Sequence, residues 1–294
     1  MTATFPLIPR RRVLGLAFGG LHSIRRGHGS DVAASRPYRP GDDVGKIDWT
    51  ASARLSLARG TDEFIVREHF AEEAPRVVVL CDRRPSMSLF DGAWPWLHKP
   101  VALRHAVRLI GDSAAAARGL LGYFDEGGEA PFWHPPRSDG EIGRLDLNRP
   151  FAAPEDTLVR GLRHLIEQRR DLPAGTFVFV LSDFLVQPER DDWLWALERR
   201  WEIVPVVIQD PIWEESFPNV AGIVIPFDRA GLVRLSAAEV ARRRSENEER
   251  RRELLYDLRA LDLDPVLVSS HEPRDVLYSF LTWADQRLFT RGHA

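Results

Sequence analysis

The chain has 294 residues, 44% of them hydrophobic and 28% charged, with a formal net charge of −3. This is the composition of an ordinary globular protein, long enough to bury roughly three quarters of its unfolded surface without covalent staples. The small net charge excludes a global pull toward nucleic acid or anionic lipid, and no stretch approaches the ~20 apolar residues of a membrane span. Among the 40 basic residues only Lys46 and Lys99 are lysines. The arginines alternate with acids, as in Arg190-Asp191-Asp192, so they form no basic stripe and nucleic acid is not an expected partner. A single cysteine, Cys81, rules out an intrachain disulfide and fits a reducing, cytoplasmic location. Its place in an apolar run reads as a small core residue.

In chain order, Arg10-Arg11-Arg12 and the apolar stretch from Val13 to Leu21 have the outline of a signal peptide. Arg25, Arg26 and His28 follow before any small-residue cleavage site, so a buried apolar segment is the expectation. Residues 1–75 are rich in Gly, Pro and Asp and lack a helical period, which predicts an irregular and β extension. Within it, Arg39-Pro40-Gly41-Asp42 predicts a type II turn, since proline fixes φ near −65° and glycine accepts positive φ. Phe64-Ile65-Val66 reads as a strand.

From residue 76 to about 290 the pattern becomes strands alternating with helices. Arg76 to Cys81, with three consecutive β-branched valines, reads as a strand covered on both faces. Leu103, Val107, Ile110, Ala114 and Ala117 then follow helical spacing. Leu120 to Phe124 is a strand, Asp156 to Arg169 a helix, Thr176 to Leu181 a buried strand and Asp191 to Arg200 a helix. Ile203 to Ile208 is a strand in which Pro205 argues for an outer position. Gly222 to Phe227 and Leu232 to Leu235 suggest a hairpin near the sheet edge. Ser236 caps a long charged helix reaching Leu261, Pro265 to Ser269 is a short strand, and Pro273 opens a last helix. The fold class expected is α/β with a doubly wound, mainly parallel sheet.

In such sheets function gathers at the carboxyl ends of central strands. There stand Asp82-Arg83-Arg84-Pro85-Ser86 after the first strand and Ser182-Asp183 after the buried one, with Asp156-Thr157 between them in sequence. Paired carboxylates with hydroxyls suit a hard cation such as Mg²⁺ or Mn²⁺. The order Asp82, Ser86, Thr157, Asp183 resembles the metal-ion-dependent adhesion site of von Willebrand factor A domains, whose pattern is Asp-x-Ser-x-Ser, then Thr, then Asp. Arg84 stands where that pattern has its middle serine. Its permanent charge and five donors make it a possible substitute for the metal, so a cation and no cofactor at all are equally open.

A second resemblance covers the extension. Arg36-Pro37-Tyr38-Arg39-Pro40-Gly41-Asp42-Asp43, Ile47-Asp48-Trp49 and Ala53-Arg54 are similar to the signature of the bacterial family catalogued as domain of unknown function fifty-eight. The residues themselves suggest an ion-paired turn built on Arg36, Asp42, Asp43, Asp48 and Arg54, docked on the α/β unit with Trp49 as apolar anchor. The resemblance implies a von Willebrand-like domain that works with a MoxR-type AAA ATPase on a protein client. The chain itself has no Gly-x-x-x-x-Gly-Lys-Ser/Thr loop, so ATP chemistry would be the partner's. The leading expectation is thus a non-enzymatic interaction or assembly module. The alternatives are a metal-assisted hydrolase using Asp82 and Asp183, and a metal-free structural subunit with Arg242 to Arg252 as a contact helix. No histidine falls in either Asp motif. His105 and His164 lie on expected helices, as surface or core residues.

Overall fold

The structure is a computed structural model that describes residues 3–10, 26–39, 45, 47–60, 63–70, 74–88, 97–137, 147–168, 172–218, 222, 224–226 and 232–292. The apolar stretch 13–21, and Pro40, Gly41, Asp42 and Asp43 with their expected turn, lie outside the described residues.

The extension contains β1 (Arg26–Pro37), α1 (Trp49–Arg59) and β2 (Ile65–Phe70). β1 and β2 pair antiparallel as a two-stranded sheet. Helix α1 corrects the expectation of irregular and β structure. It has no apolar stripe to announce it, and only Ser52 is buried. It is set by its ends instead. The Asp48 carboxylate accepts the Ala51 N–H at 3.0 Å, and Gly60 closes the helix with φ of 68°, a left-handed value glycine adopts without strain. Trp49 is likewise corrected as an anchor. It stands in the first turn of α1, 60% exposed, with its ring edge-on to Phe64 at 5.9 Å.

The α/β unit runs β3 (Arg76–Cys81), α2 (Lys99–Ala116), β4 (Leu120–Asp125), β5 (Phe132–Arg137), α3 (Thr157–Glu167), β6 (Phe177–Ser182), α4 (Arg190–Leu197), β7 (Glu202–Ile208), β8 (Val224–Pro226), β9 (Leu232–Arg234), α5 (Ala237–Ala260), β10 (Val266–Val268) and α6 (Pro273–Gly292). Six strands form the main sheet in the order β10-β7-β6-β3-β4-β5, all parallel except β5. β8 and β9 make the expected hairpin, but as a separate two-stranded sheet rather than at the edge of the main one.

Pro205 lies in β7, one strand in from the edge. Glu202 donates its N–H to Thr176 O on the β6 side, so by alternation residue 205 faces the other flank. There β10 begins only opposite Val206, and the missing N–H meets no ladder. The unexpected strand β5 carries Pro135 and Pro136, which hid it in the sequence and confine it to the edge. Opposite them the register of β4 slips between Leu121 and Tyr123. A Cβ on Gly122 would meet His134 O and the Pro136 ring at 3.0 Å, a tight approach that any larger residue could make only by shifting β5 by a few tenths of an ångström.

Strand alternation distributes the core between the two faces. Val77, Val79, Cys81, Phe179 and Leu181 pack beneath α2 and α6, while Val78, Leu80, Val178 and Val180 meet residues of α3, α4 and α5. Phe5, Leu7 and Ile8 also belong to the first cluster, although they lie at the start of the extension in sequence. Burial pushes the Cys81 thiol up to about 12, which keeps it protonated and unreactive. A maleimide should therefore label Cys81 only after denaturation. Labelling of the native chain as fast as of the unfolded one would contradict this packing.

Candidate functional site

β3 and β6 are hydrogen-bonded neighbours with Cys81 opposite Leu181, so the residues that follow them emerge side by side. The Asp82 N–H extends the ladder by donating to Leu181 O at 2.9 Å. From β3 the chain continues outward through β4, whereas β6 and β7 lie on the other side. The β3/β6 boundary is thus the switch point of the sheet, where the crevice of such folds opens.

Asp82, Asp183 and Ser182 are fully buried there, and Arg84 is 4% exposed. The Arg84 fork lies along the Asp82 carboxylate: Nε donates to Oδ1 and Oδ2 at 3.0 and 2.9 Å, and Nη2 to Oδ2 at 2.5 Å. Nη2 also reaches Ser182 Oγ at 3.0 Å and Asp183 Oδ1 at 3.5 Å, while Nη1 donates to Val186 O at 3.0 Å. Burial opposes the guanidinium charge, but Asp82 and then Asp183 and Glu155 override it, so its pKa is raised. The Ser182 hydroxyl donates to Asp82 Oδ2 at 2.6 Å and accepts the Phe184 N–H at 2.9 Å.

A second cation completes the cluster. Lys99, the fully buried first residue of α2, donates from Nζ to Asp183 Oδ2 at 3.1 Å and to Glu214 Oε1 at 2.5 Å. Glu214 is placed by the Asp210 N–H at 2.8 Å. Burial raises the Glu214 pKa, with Lys99 working the other way. The loop carrying Glu214 is in turn held by α5: Asn247 donates to Trp213 O and Ser216 O, Arg244 to Phe217 O and Arg250 to Glu214 O. The charged stretch 242–252 is thus more than a solvated face.

Arg83 points away from Arg84 into a separate network. Its Nε donates to Asp125 at 3.2 Å and its Nη2 to the Tyr123 hydroxyl at 2.9 Å, with Phe151 stacked at 5.0 Å. Arg149 binds the other Asp125 oxygen at 2.7 Å. Gly127 lies where a Cβ would stand 2.5 Å from Pro150 O.

Of the sequence-predicted set, the structure brings together Asp82, Asp183 and Arg84. Thr157 is the buried first residue of α3 and Ser86 lies half-buried in a short 3-10 turn, Pro85–Ser88. No hydrogen bond joins either hydroxyl to Asp82 or Asp183 among the described residues. Lys99 and Glu214 were missed by the sequence reading; a lysine opening an apolar helix was the only available signal. Of the family signature, Asp48 caps α1, Tyr38 donates its N–H to Phe64 O at 2.8 Å, and Arg54 is exposed on α1. Arg36 lies in β1 opposite Val66.

The donor set does not fit a divalent cation as arranged. Both Asp82 oxygens face the Arg84 fork, and the two Asp183 oxygens are taken by Leu185 N–H with Arg84 and by Lys99. A cation would have to displace two charged groups that are already desolvated.

His164 lies apart from this cluster, stacked on Phe124 at 4.8 Å. Burial lowers its pKa below the ordinary 6.5. Folding therefore favours the neutral ring, and that contribution, present above pH 6.5, is lost as the pH falls toward the folded value. A His164→Phe chain should lose less stability than wild type between ~pH 7 and ~pH 5, read from urea midpoints. Equal losses would exclude His164 as a source of acid sensitivity.

Fold and site together define an α/β protein with an ion-paired cluster at the switch point of a mainly parallel sheet. Residues 34–253 match the family described as protein of unknown function DUF58, and the chain belongs to that family. It is similar to the uncharacterized proteins Mb1516 of Mycobacterium bovis and Rv1480 of Mycobacterium tuberculosis. Each is 25% identical over 234 residues, which cover 79% of this chain and 71% of the relative. Among solved structures, the conserved hypothetical protein BatB from Bacteroides thetaiotaomicron aligns with a TM-score of 0.44 and 14% identity, over 75% of this chain and 100% of that one. The pilus adhesin SpaC from Lactobacillus rhamnosus GG aligns with a TM-score of 0.42 and 11% identity, over 74% of this chain and 31% of that one. Among the described residues, no helix is long and apolar enough to cross a membrane.

Proposed function

We propose that this chain is a non-enzymatic interaction module that presents the carboxyl ends of β3 and β6 to a protein client and works beside a MoxR-type AAA ATPase. The observation that carries the first part is the closed state of the strand-end carboxylates. A hydrolase using Asp82 and Asp183 needs a carboxylate free to take a proton from water or to hold a metal-bound water. Asp82 and Asp183 are instead held by Arg84, Ser182 and Lys99. A rigid, charge-compensated crevice suits recognition by shape, with the exposed Val186 at its rim. Support for the ATPase rests on the family resemblance of the extension and on the lack of a phosphate-binding loop in the chain itself.

The test is co-purification of the full chain with the MoxR-type ATPase from the same genome, with and without ATP, followed by Val186→Arg. Expected is a complex, and a client contact weakened by the Val186 substitution. No association in any nucleotide state, at low salt, would remove the ATPase from this reading. Turnover of generic phosphoesters by wild type, lost in Asp183→Ala, would replace the reading with the hydrolase.

A further inference from the structure

From the geometry of the β3/β6 crevice we infer that Arg84 and Lys99 together act as a tethered, two-charge stand-in for a divalent cation. The native site is therefore metal-free, and it becomes a divalent-cation site when these two charges are removed. The carboxylates face one another across adjacent strand ends, and each meets its own cation: Asp82 the Arg84 fork, Asp183 the Lys99 ammonium. Arg84 Nη2 spans both, 2.5 Å from Asp82 and 3.5 Å from Asp183, so a single point between the two carboxylates already carries positive charge. The Ser182 hydroxyl beside it adds a third oxygen. Oxygen donors of this kind are what a hard divalent ion selects.

The two positive charges come from different elements, Arg84 from the turn after β3 and Lys99 from the start of α2. Both are nearly or wholly buried, at 4% and 0% exposure, and neither can exchange with solvent ions as a bound metal does. Removing both leaves the buried Asp82 and Asp183 carboxylates, with Ser182 beside them and Glu214 across the space Lys99 now fills, without the cations that balance them. Such a cluster recovers its balance by protonation or by capturing a compact dication. This inference concerns the cation alone, so a failed co-purification with an ATPase leaves it standing.

The experiment uses the full chain as wild type, Arg84→Ser and Arg84→Ser/Lys99→Met, with Mn²⁺ binding followed by electron paramagnetic resonance and thermal melts run in Mn²⁺ and in EDTA. Wild type is expected to show no saturable binding and no chelator-dependent shift of its melting midpoint. The double variant is expected to bind one Mn²⁺ saturably and to melt higher with the metal than with EDTA. Arg84→Ser alone should bind more weakly, because Lys99 still holds Asp183. Saturable binding to wild type would overturn the inference. So would a folded double variant that binds no Mn²⁺. A double variant that stays unfolded even in Mn²⁺ would also overturn it, since a cation that fits should restore the charge balance.

Discussion

Replacing Asp82 by alanine is expected to lower the unfolding free energy by about 3–5 kcal/mol, the usual consequence of stranding one member of a buried ion pair. Four donor groups make five hydrogen bonds to this carboxylate: Arg84 Nε to both oxygens, and Arg84 Nη2, the Arg84 N–H and the Ser182 hydroxyl to one each. With the carboxylate gone, the guanidinium keeps its charge in a place where it is 4% exposed, with Asp183 at 3.5 Å and the more weakly acting Glu155 left to compensate it. The companion Asp82→Ala/Arg84→Met should recover much of the loss, because an apolar side chain leaves no orphaned charge and buried ion pairs are often replaceable without cost. Urea midpoints of the two single variants and the double form the cycle. Additive losses would mean that the pair does not act as a unit, against the geometry described above.

Phe5→Ala is expected to cost about 3–5 kcal/mol, as other large-to-small changes in a well-packed core do. Phe5 is 3% exposed, and its ring lies 4.7 Å from Phe280, 6.0 Å from Trp283 and 6.1 Å from Phe179. Its N–H donates to the Ser113 hydroxyl at 3.1 Å, so the segment is fixed by backbone as well as side chain. Downstream, Arg287 donates to Ile8 O at 3.0 Å and to Glu202 at 3.1 Å, while the Arg10 N–H reaches the same Glu202 oxygen at 3.0 Å. Melting midpoints of Phe5→Ala and of Phe5→Leu separate the two terms. The leucine should recover part of the loss, and an alanine chain as stable as wild type would detach residues 3–10 from the core.

The α/β unit was legible because its signal is periodic. Continuous apolar runs such as Val77 to Leu80 announce strands covered on both faces, and Ser236 with Glu239 forms a capping box that marks the start of α5. Elements specified by their ends or by distant partners were not legible. Helix α1 has no apolar stripe, and β5 is interrupted by two prolines. Phe5, Leu7 and Ile8 form too short a run to predict that they belong to the core of a unit beginning some seventy residues later. In the site, order along the chain correctly paired Asp82 with Asp183, since both follow strands. Arg84 stood out only against the resemblance. Lys99 and Glu214 were invisible, because their role depends on α2 and the loop after β7 converging on one point, and no spacing in the chain encodes that.

The edge of the sheet at β5 has a consequence for how the protein behaves in a crowd. Pro135 and Pro136 lack N–H donors and lie where the β4–β5 register slips, so the row of donors along β5 is broken at two consecutive residues. A strand arriving from a neighbouring molecule would find an interrupted row of donors there and could not zip on in register. Sheet growth through this edge is disfavoured, so β5 acts as a built-in guard against edge-to-edge association between copies of the chain.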